Sequence, residues 1–326
     1  MRLRIALGIA LLLLLAGAWT WISSNGETSS ASRRWQSSVQ CRSCHEAVWQ
    51  EWYGSHHQIA YLNPEVRKLS DDFRNRECRA CHLPRPVSAT GYAKRTLPRF
   101  TRPDEGVGCL SCHLGAGGEI LGRRNLPGAP CQPRASQALV SVELCESCHN
   151  QHQTTDQWRA SAYPAQDIDC GTCHMPETDR ALPDGSSAKG RGHVFPGAHD
   201  VAMLRQAGRF EMRLEGGSLI LSLENVGAGH NFPTEERHRA VDMLVRFAMA
   251  DGSAGDWERA YRFRSPYRDE PGEDTQLPAG ETVRVPLPIP DGAVRAQARL
   301  WYRLTPYVDD ADPMSTLLEE KEIALR

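Results

Sequence analysis

The chain has 326 residues, which is enough for one large domain or two of ordinary size. Its formal net charge is −2, so no overall excess of positive charge indicates a nucleic-acid partner. Of the 38 basic residues, 34 are arginine, whose planar guanidinium pairs with carboxylates through two parallel hydrogen bonds.

The N-terminus has the features of an export signal. Two positive charges, on Arg2 and Arg4, come before an apolar run over residues 5–22. The excess of positive charge stays on the cytoplasmic side of the membrane, so the rest of the chain is directed outward. We therefore expect an exported protein, located in the periplasm or on the outer face of the cytoplasmic membrane.

Two fates of residues 1–22 remain open. Small residues at 16–18 suit cleavage of a signal peptide, whereas the 18-residue length of the run and its two tryptophans suit an uncleaved membrane anchor. In the second case residues 5–22 would tether the protein to the membrane. Residues 23–36 are rich in serine and predict a flexible linker.

A pentapeptide of the form Cys-x-x-Cys-His occurs five times. The copies occupy residues 41–45, 78–82, 109–113, 145–149 and 170–174. This is the attachment sequence of c-type haem, in which two thiols one helical turn apart bond to one porphyrin and the histidine binds its iron. Zinc sites and disulfides also use paired cysteines, but neither requires a histidine after every pair.

The five motifs predict five covalently attached haem c groups, each with its iron. Ten cysteines would form the thioether bonds: Cys41, Cys44, Cys78, Cys81, Cys109, Cys112, Cys145, Cys148, Cys170 and Cys173. The proximal iron ligands would be His45, His82, His113, His149 and His174. We expect residues 37–199 to form a pentahaem cytochrome c domain, mainly α-helical with long loops, because glycine and proline are frequent between the motifs. The many arginines would pair with the haem propionates.

The second axial position on each iron needs a further ligand, and His57 is the first candidate. It follows the first motif in the pattern Trp52-x-x-Ser55-x-His57. The fourth motif is followed by the same pattern, with Tyr163 in the last position. We expect His57 to bind iron and Tyr163 to pack or to form hydrogen bonds instead.

Two loops that contain proline and an aromatic residue carry three more candidate ligands. His193 and His199 lie in "GHVFPGAHD", and His230 lies in "GHNFPT". A rigid loop can hold an imidazole against a buried iron, so we expect all three histidines to be ligands. His152 and His238 lie in polar surroundings and are expected not to bind iron.

These motifs together resemble a known family. The haem motif followed by Trp-x-x-Ser-x-His, "CHMP" at 173–176, "HVFPGAHD" and "GHNFPT" are similar to a group of multihaem c cytochromes. That group contains the tetrahaem cytochrome c of ammonia oxidation, multihaem nitrite reductase and hydroxylamine oxidoreductase. The resemblance covers about residues 38–235, and it implies closely stacked haems, mostly with two histidine ligands, that work in respiratory electron transfer.

Cys131 is the one cysteine outside the five motifs. The resemblance implies the sequence Ala-Pro-His, with a ligating histidine, before the fourth haem, whereas this chain has Ala129-Pro130-Cys131. Three interpretations remain open. Cys131 is an incidental thiol, a thiolate ligand to iron, or the mark of a lost ligand that leaves one iron open.

After residue 200 the pattern changes to alternating apolar residues, which is typical of β-strands. Four segments show it: a hairpin over 210–224 that turns at Gly216 and Gly217, and strands at 241–249, 283–287 and 294–304. Prolines in the third segment predict an edge strand. We expect residues 200–326 to form an all-β immunoglobulin-like sandwich of about seven strands.

The other face of the last of these strands carries Arg295, Gln297, Arg299, Trp301 and Arg303. Two interpretations of this face remain open. It is a solvated polar surface, or it is a basic surface that meets haem propionates or a redox partner.

The sequence favours an electron carrier, namely a pentahaem c-type cytochrome in periplasmic or extracellular respiratory electron transfer. We expect redox partner proteins, such as a membrane quinol-oxidising complex or another cytochrome. The alternative is a haem reductase of a small nitrogen or sulfur species, or a gas-binding module, at a haem without a strong distal ligand. No Cys-x-x-Cys-Lys motif, which marks the catalytic haem of the nitrite reductase branch, occurs in the chain, and no catalytic residue is predicted.

Overall fold

The computed structural model describes residues 34–181, 186–234, 238–266 and 272–325. The predicted export segment over 1–22 and most of the predicted linker lie outside the described residues. Within the described ranges, no helix combines the length and the apolar character that crossing a membrane requires.

The chain divides into two compact units, and each of them is built from two separate stretches of sequence. The first unit contains the described residues up to Cys148 together with 178–194. The second unit contains His149–Glu177 and the residues from Phe195 onward. The domain ranges derived above from the sequence stay a prediction.

The first unit consists of short helices joined by ordered loops. Its helices are α1 (Val39–Arg42), α2 (Glu46–Trp52), α3 (Pro64–Leu69), α4 (Arg76–His82), α5 (Cys109–His113) and α6 (Val142–His149), of which only His149 belongs to the second unit. Two small sheets pair β1 (Leu121–Gly122) with β2 (Arg134–Ala135), and β3 (Glu177–Ala181) with β4 (Ser187–Arg191). Single 3₁₀ turns occupy Val87–Ala89, Pro103–Glu105 and Gln137–Val140.

The second unit combines three short helices with seven strands. The helices are α7 (Thr154–Arg159), α8 (Cys170–His174) and α9 (Val201–Ala207), with 3₁₀ turns at Asn150–His152 and Pro164–Gln166. The strands are β5 (Gly208–Glu215), β6 (Ser218–Asn225), β7 (Ala240–Met249), β8 (Glu258–Phe263), β9 (Thr282–Leu287), β10 (Ala293–Arg303) and β11 (Ser315–Ala324). They form two antiparallel sheets, with the strand orders β5-β6-β9 and β11-β10-β7-β8.

The predicted hairpin and strands are confirmed. Glu215 pairs with Ser218 across a two-residue turn, and Gly216 and Gly217 have φ angles of 58° and 80°. Positive φ at both central positions suits the right-handed twist of a hairpin, and glycine adopts it without strain. The strand with prolines is β9, which lies at an edge and pairs with β6.

The alternating apolar residues of both sheets meet in one buried cluster. Strands β6, β7 and β10 contribute most of its side chains. These are Leu219, Leu221 and Leu223 of β6, Val241, Met243 and Val245 of β7, and Ala296, Ala298, Leu300 and Tyr302 of β10. Each side chain that leaves water contributes roughly 25 cal/mol per Å² of apolar surface. This cluster is the apolar core of the second unit.

The outward face of β10 is largely neutralised by its neighbour β11. Arg295 pairs with Glu322 at 3.0 Å and Arg299 pairs with Glu320 at 3.2 Å. The Arg299 guanidinium also lies 4.2 Å from the centre of the Trp257 ring, which attracts a cation through its electron-rich face. These arginines therefore have partners within their own unit.

Arg303 departs from the expected outward face because it is buried. Its guanidinium lies 2.5 Å from the buried carboxylate of Asp242, which also pairs with Arg262 at 2.6 Å, and a second contact joins Arg303 to Asp310 at 2.6 Å. Burial by itself raises the pKa of Asp242, but the hydrogen bonds and charges of the two arginines hold it below its usual value. The pair thus stabilises the fold at neutral pH, and this contribution is lost as the pH falls through the lowered pKa.

Asp242→Asn is expected to destabilise the second unit by about 3–5 kcal/mol, because two buried guanidiniums lose their shared anion. Urea unfolding of the purified protein, followed by far-ultraviolet circular dichroism, measures the loss. Glu215→Gln is the matched control, since it breaks an exposed pair with Arg284 and is expected to cost about 1 kcal/mol or less. Equal losses for the two variants would contradict this assignment.

Candidate haem-attachment sites

Each Cys-x-x-Cys-His motif forms a turn of helix. The third and fifth motifs are the helices α5 and α8, and the second and fourth are the C-terminal ends of α4 and α6. In the first motif the amide of His45 donates to the carbonyl of Cys41 at 2.9 Å, which closes the same turn. None of the eleven cysteines, all of which lie in described ranges, forms a disulfide.

This turn fits covalent haem. Residues three apart on a helix share one face, so the two thiols of a motif point to the same side and the histidine follows directly. That is the arrangement required for two thioether bonds to one porphyrin and one bond to its iron.

Local hydrogen bonds begin the motif helices. The Asn75 side chain accepts from the amide of Glu77 at the start of α4, and Asp169 accepts from the amide of Thr172 at the start of α8. Side-chain oxygens at these positions satisfy amides that have no partner within the helix. The sequence next to the first cysteine thus determines where these helices start.

Five imidazoles have the same hydrogen-bond pattern. Each has its Nδ1 close to a backbone carbonyl oxygen: His82 to Ala60 at 3.0 Å, His113 to Leu121 at 2.9 Å, His174 to Pro196 at 2.7 Å, His193 to Arg191 at 2.9 Å and His230 to Asn231 at 2.9 Å. Because a carbonyl oxygen only accepts, Nδ1 must carry the proton. The lone pair then lies on Nε2, which is the usual arrangement of a metal-binding histidine.

Two of the predicted distal histidines face proximal ones. The ring centres of His113 and His193 are 6.3 Å apart with planes at 29°, and those of His174 and His230 are 6.2 Å apart with planes at 12°. A metal–imidazole nitrogen bond is about 2 Å long, so two such bonds and the radii of two rings span about 6 Å. Each pair therefore has the spacing of two axial ligands on opposite sides of one iron.

The distal imidazoles of both pairs are held in the form that binds metal. Burial, with a smaller effect from the neighbouring His113, lowers the pKa of His193 to about 4. Burial likewise lowers the pKa of His230 to about 4, with a smaller effect from His174. Both side chains are neutral at pH 7, which is the protonation state that a metal requires.

The loop that carries His193 is fixed by a partly buried ion pair. Glu51, on α2, accepts from the backbone amide of His193 at 2.8 Å and pairs with Arg180 at 2.5 Å. Arg180 also donates to the carbonyl of Arg191, which accepts the hydrogen bond from the Nδ1 of His193. Helix α2, directly after the first motif, thus positions a candidate ligand of the third haem.

The loop that carries His230 is held by a buried amide. The Asn225 side chain donates to the carbonyl of His230 at 2.8 Å and accepts from the amide of Ala228 at 3.1 Å. Gln157, on α7, accepts from the amide of Asn231 at 3.3 Å. Hydrogen bonds on both sides of His230 restrict the movement of its ring relative to His174.

Tyr163 packs behind this loop. A Cβ atom on Gly229 would lie 3.1 Å from the Tyr163 ring, so glycine allows the close approach. The Tyr163 hydroxyl donates to the carbonyl of Val226 at 3.4 Å. Tyr163 thus makes a packing contact and a hydrogen bond, and its exclusion as an iron ligand stays a prediction.

The first unit also brings motifs together in pairs. Ser38, three residues before Cys41, accepts from the amide of Cys109 at 3.0 Å, so the first motif lies beside the third. The Cys81 Sγ lies 4.0 Å from the carbonyl oxygen of Cys148, so the second motif lies beside the fourth. The sequence does not reveal this pairing, because contact between segments so distant in the chain depends on the fold.

His57 and His199 have different surroundings. His57 is half-buried, and its carbonyl accepts from the amide of Val107 at 2.7 Å, just before the third motif. His199 is exposed in the turn before α9. The roles of both as ligands stay predictions.

Cys131 lies in a tight turn that is half-exposed. The amide of Gln132 donates to the carbonyl of Ala129 at 2.9 Å, and Arg34 donates to the carbonyl of Pro130 at 2.6 Å. The three interpretations of Cys131 stay open.

Comparison with known proteins agrees with this geometry. Residues 40–114 match the family described as "Cytochrome c554 and c-prime". The fold is similar to the crystal structure of a penta-haem cytochrome c552 from Thermochromatium tepidum, with a TM-score of 0.66 and 19% identity over 89% of this chain and 98% of that chain. No curated protein matches at a significant level.

A superoxide reductase (neelaredoxin) from Archaeoglobus fulgidus has a TM-score of 0.22 and 9% identity, over 41% of this chain and 98% of that chain. This similarity is too low to indicate a shared fold.

The family match over residues 40–114, the shared fold and the five motifs all support a multihaem c-type cytochrome with covalently bound haem c. The resemblance found in the sequence is thereby confirmed.

Glu51→Gln is expected to loosen the His193 loop and to leave the buried Arg180 without its anion. We expect a loss of about 3 kcal/mol in stability and a changed low-spin signal of one haem in electron paramagnetic resonance. Glu46→Gln, at an exposed position on the same helix, is the control and should change neither. An unchanged spectrum in Glu51→Gln would show that this ion pair does not position His193.

Proposed function

We propose that the chain is a pentahaem electron carrier that relays electrons between respiratory partners outside the cytoplasmic membrane. The observation that best supports the proposal is the pair of facing imidazoles, His113 with His193 and His174 with His230, each with its Nε2 lone pair available. Haem iron with two such ligands exchanges one electron between its ferric and ferrous states.

In this proposal the chain holds each haem by the same set of contacts. The motif cysteines supply the covalent bonds, and the motif histidine supplies one iron ligand. His193 and His230 complete the coordination of the third and fifth irons, and His57 and His199 are proposed for two others. Carbonyl hydrogen bonds on Nδ1 keep the rings oriented.

The pairing of motifs supports a relay rather than separate redox centres. The hydrogen bond from Cys109 to Ser38, beside the first motif, and the contact of Cys81 with Cys148 bring two attachment points close together in each case. Electron transfer slows steeply with distance, so a carrier benefits when its centres are adjacent.

The C-terminal residues are proposed to be an immunoglobulin-like sandwich. Three antiparallel strands in one sheet and four in the other, with one shared apolar cluster, support this architecture. His230 lies between β6 and β7. The sandwich therefore supplies one of the proposed iron ligands.

Export and partners complete the proposal. The charged and apolar N-terminal sequence supports a periplasmic protein or one tethered through residues 5–22. Its partners would be redox proteins, such as a membrane quinol-oxidising complex or another cytochrome.

The haem count is tested by mass spectrometry and by the pyridine haemochrome assay of the holoprotein. We expect five haems per chain, and four in the double variant Cys170→Ala/Cys173→Ala. The single variant Cys131→Ala serves as the control and should keep five. Fewer than five haems in the wild-type protein would contradict the proposed relay.

The ligand assignment is tested with His230→Ala. We expect a high-spin signal in electron paramagnetic resonance of the oxidised variant, because one iron loses its distal ligand. His238→Ala, which changes a histidine that is expected not to bind iron, should leave the spectrum unchanged. A high-spin signal in the wild-type protein that disappears with cyanide would instead support the reductase or gas-binding alternative.

A further inference from the structure

A buried carboxylate lies where the first and third motifs meet. Glu105 ends the 3₁₀ turn before the third motif and is 5% exposed. Its oxygens accept three hydrogen bonds, from the Ser37 hydroxyl at 2.6 Å, the Ser38 hydroxyl at 2.9 Å and the Ser38 amide at 3.1 Å. A carboxylate at such a site loses its hydration, and it is retained only where other interactions compensate.

Ser38 connects this carboxylate to both motifs. It lies three residues before Cys41, and its hydroxyl accepts from the amide of Cys109 at 3.0 Å while it donates to Glu105. A Cβ atom on Gly108 would lie only 2.5 Å from the Ser38 oxygen, so glycine is needed for this approach. The arrangement joins the starts of the two motif helices around one negative charge.

The charge of Glu105 reaches both attachment points. It acts to raise the pKa of the Cys41 thiol and of the Cys109 thiol, behind the larger effects of their mutual hydrogen bond and of burial. The same electric field acts on the haems that Cys41 and Cys109 are predicted to attach.

No nearby cation neutralises this charge directly. Among residues 34–181 and the other described ranges, no arginine or lysine forms an ion pair with Glu105. Arg99 is close enough for its charge to interact, but its guanidinium donates to the carbonyls of Thr101, Pro84 and Arg102. Hydrogen bonds from two serines stabilise a buried anion less than a paired cation does.

We propose that Glu105 sets the reduction potentials of the first and third haems by stabilising their oxidised state. An oxidised iron–porphyrin unit carries one net positive charge and a reduced unit carries none, so a buried anion favours oxidation. Since no described arginine or lysine forms an ion pair with Glu105, the positive charge of the oxidised haems would supply the counter-charge. The inference rests on the proposed haem relay, and Glu105 acts as a positioned charge rather than as a ligand.

The test is a redox titration of the holoprotein variant Glu105→Gln, followed by optical and electron paramagnetic resonance spectra. Glutamine has the same shape and can still accept from Ser38, so the charge is the main change. We expect two of the midpoint potentials to become more positive and the others to stay. The expected size of each shift is about 59 mV, which corresponds to a tenfold change in the ratio of reduced to oxidised haem for one electron.

Asp104→Asn is the matched control. Asp104 is the residue before Glu105, and its side chain is exposed. The variant removes the same charge from a place where water and salt screen its electric field. We expect a much smaller shift. Equal shifts for Asp104→Asn and Glu105→Gln would overturn the proposal, because net charge alone would then explain the effect.

Ser37→Ala provides an independent test in the opposite direction. It removes the Ser37 hydroxyl, which donates to Glu105 at 2.6 Å, and leaves the carboxylate in place. Because this donor then no longer offsets the negative charge of Glu105, the same two potentials should become more negative. A positive shift or none would overturn the proposal even if Glu105→Gln does not assemble. Five bound haems with unchanged potentials in Glu105→Gln would refute this inference alone, whereas absence of haem from the first or third motif would refute the proposed function.

Discussion

The hydrogen bond from a histidine Nδ1 to a backbone carbonyl is the interaction on which the candidate sites depend. It fixes the tautomer, so the lone pair of Nε2 points away from the chain that holds the ring. His113 and His193 donate this bond to carbonyls in different segments, and their ring centres still lie 6.3 Å apart. The two loops that provide these carbonyls must therefore keep a fixed position, and the other contacts of the site hold them there.

Buried carboxylates hold those loops and join distant parts of each unit. Glu51 fixes the His193 loop through Arg180, Glu105 joins the two stretches that precede the first and third motifs, and Asp242 holds two arginines of the sandwich. The abundance of arginine agrees with this use, because a guanidinium binds a carboxylate and a carbonyl at once. The sequence suggested haem propionates as the partners, and the structure adds carboxylates of the protein itself.

Much of the chemistry could be read from short patterns. The haem motifs, the hairpin at Gly216 and the strands β7, β9 and β10 follow from spacing or alternation within a few residues. Strands β8 and β11 contain consecutive charged residues, such as Glu258-Arg259 and Glu319-Glu320-Lys321, which interrupt the alternation of apolar and polar residues. Their assignment depends on pairing with β7 and β10, which local sequence does not express.

The sequence by itself determined the class of cofactor, because thioether attachment requires a fixed spacing of cysteine and histidine along the chain. It also identified His193 and His230 as candidate ligands from the loops around them. Only the tertiary structure decided which proximal histidine each one faces and which motifs lie side by side. The physical reason is that Glu51 and Arg180, or Glu105 and Ser38, lie far apart in sequence, and a contact of that kind exists only after the chain has folded.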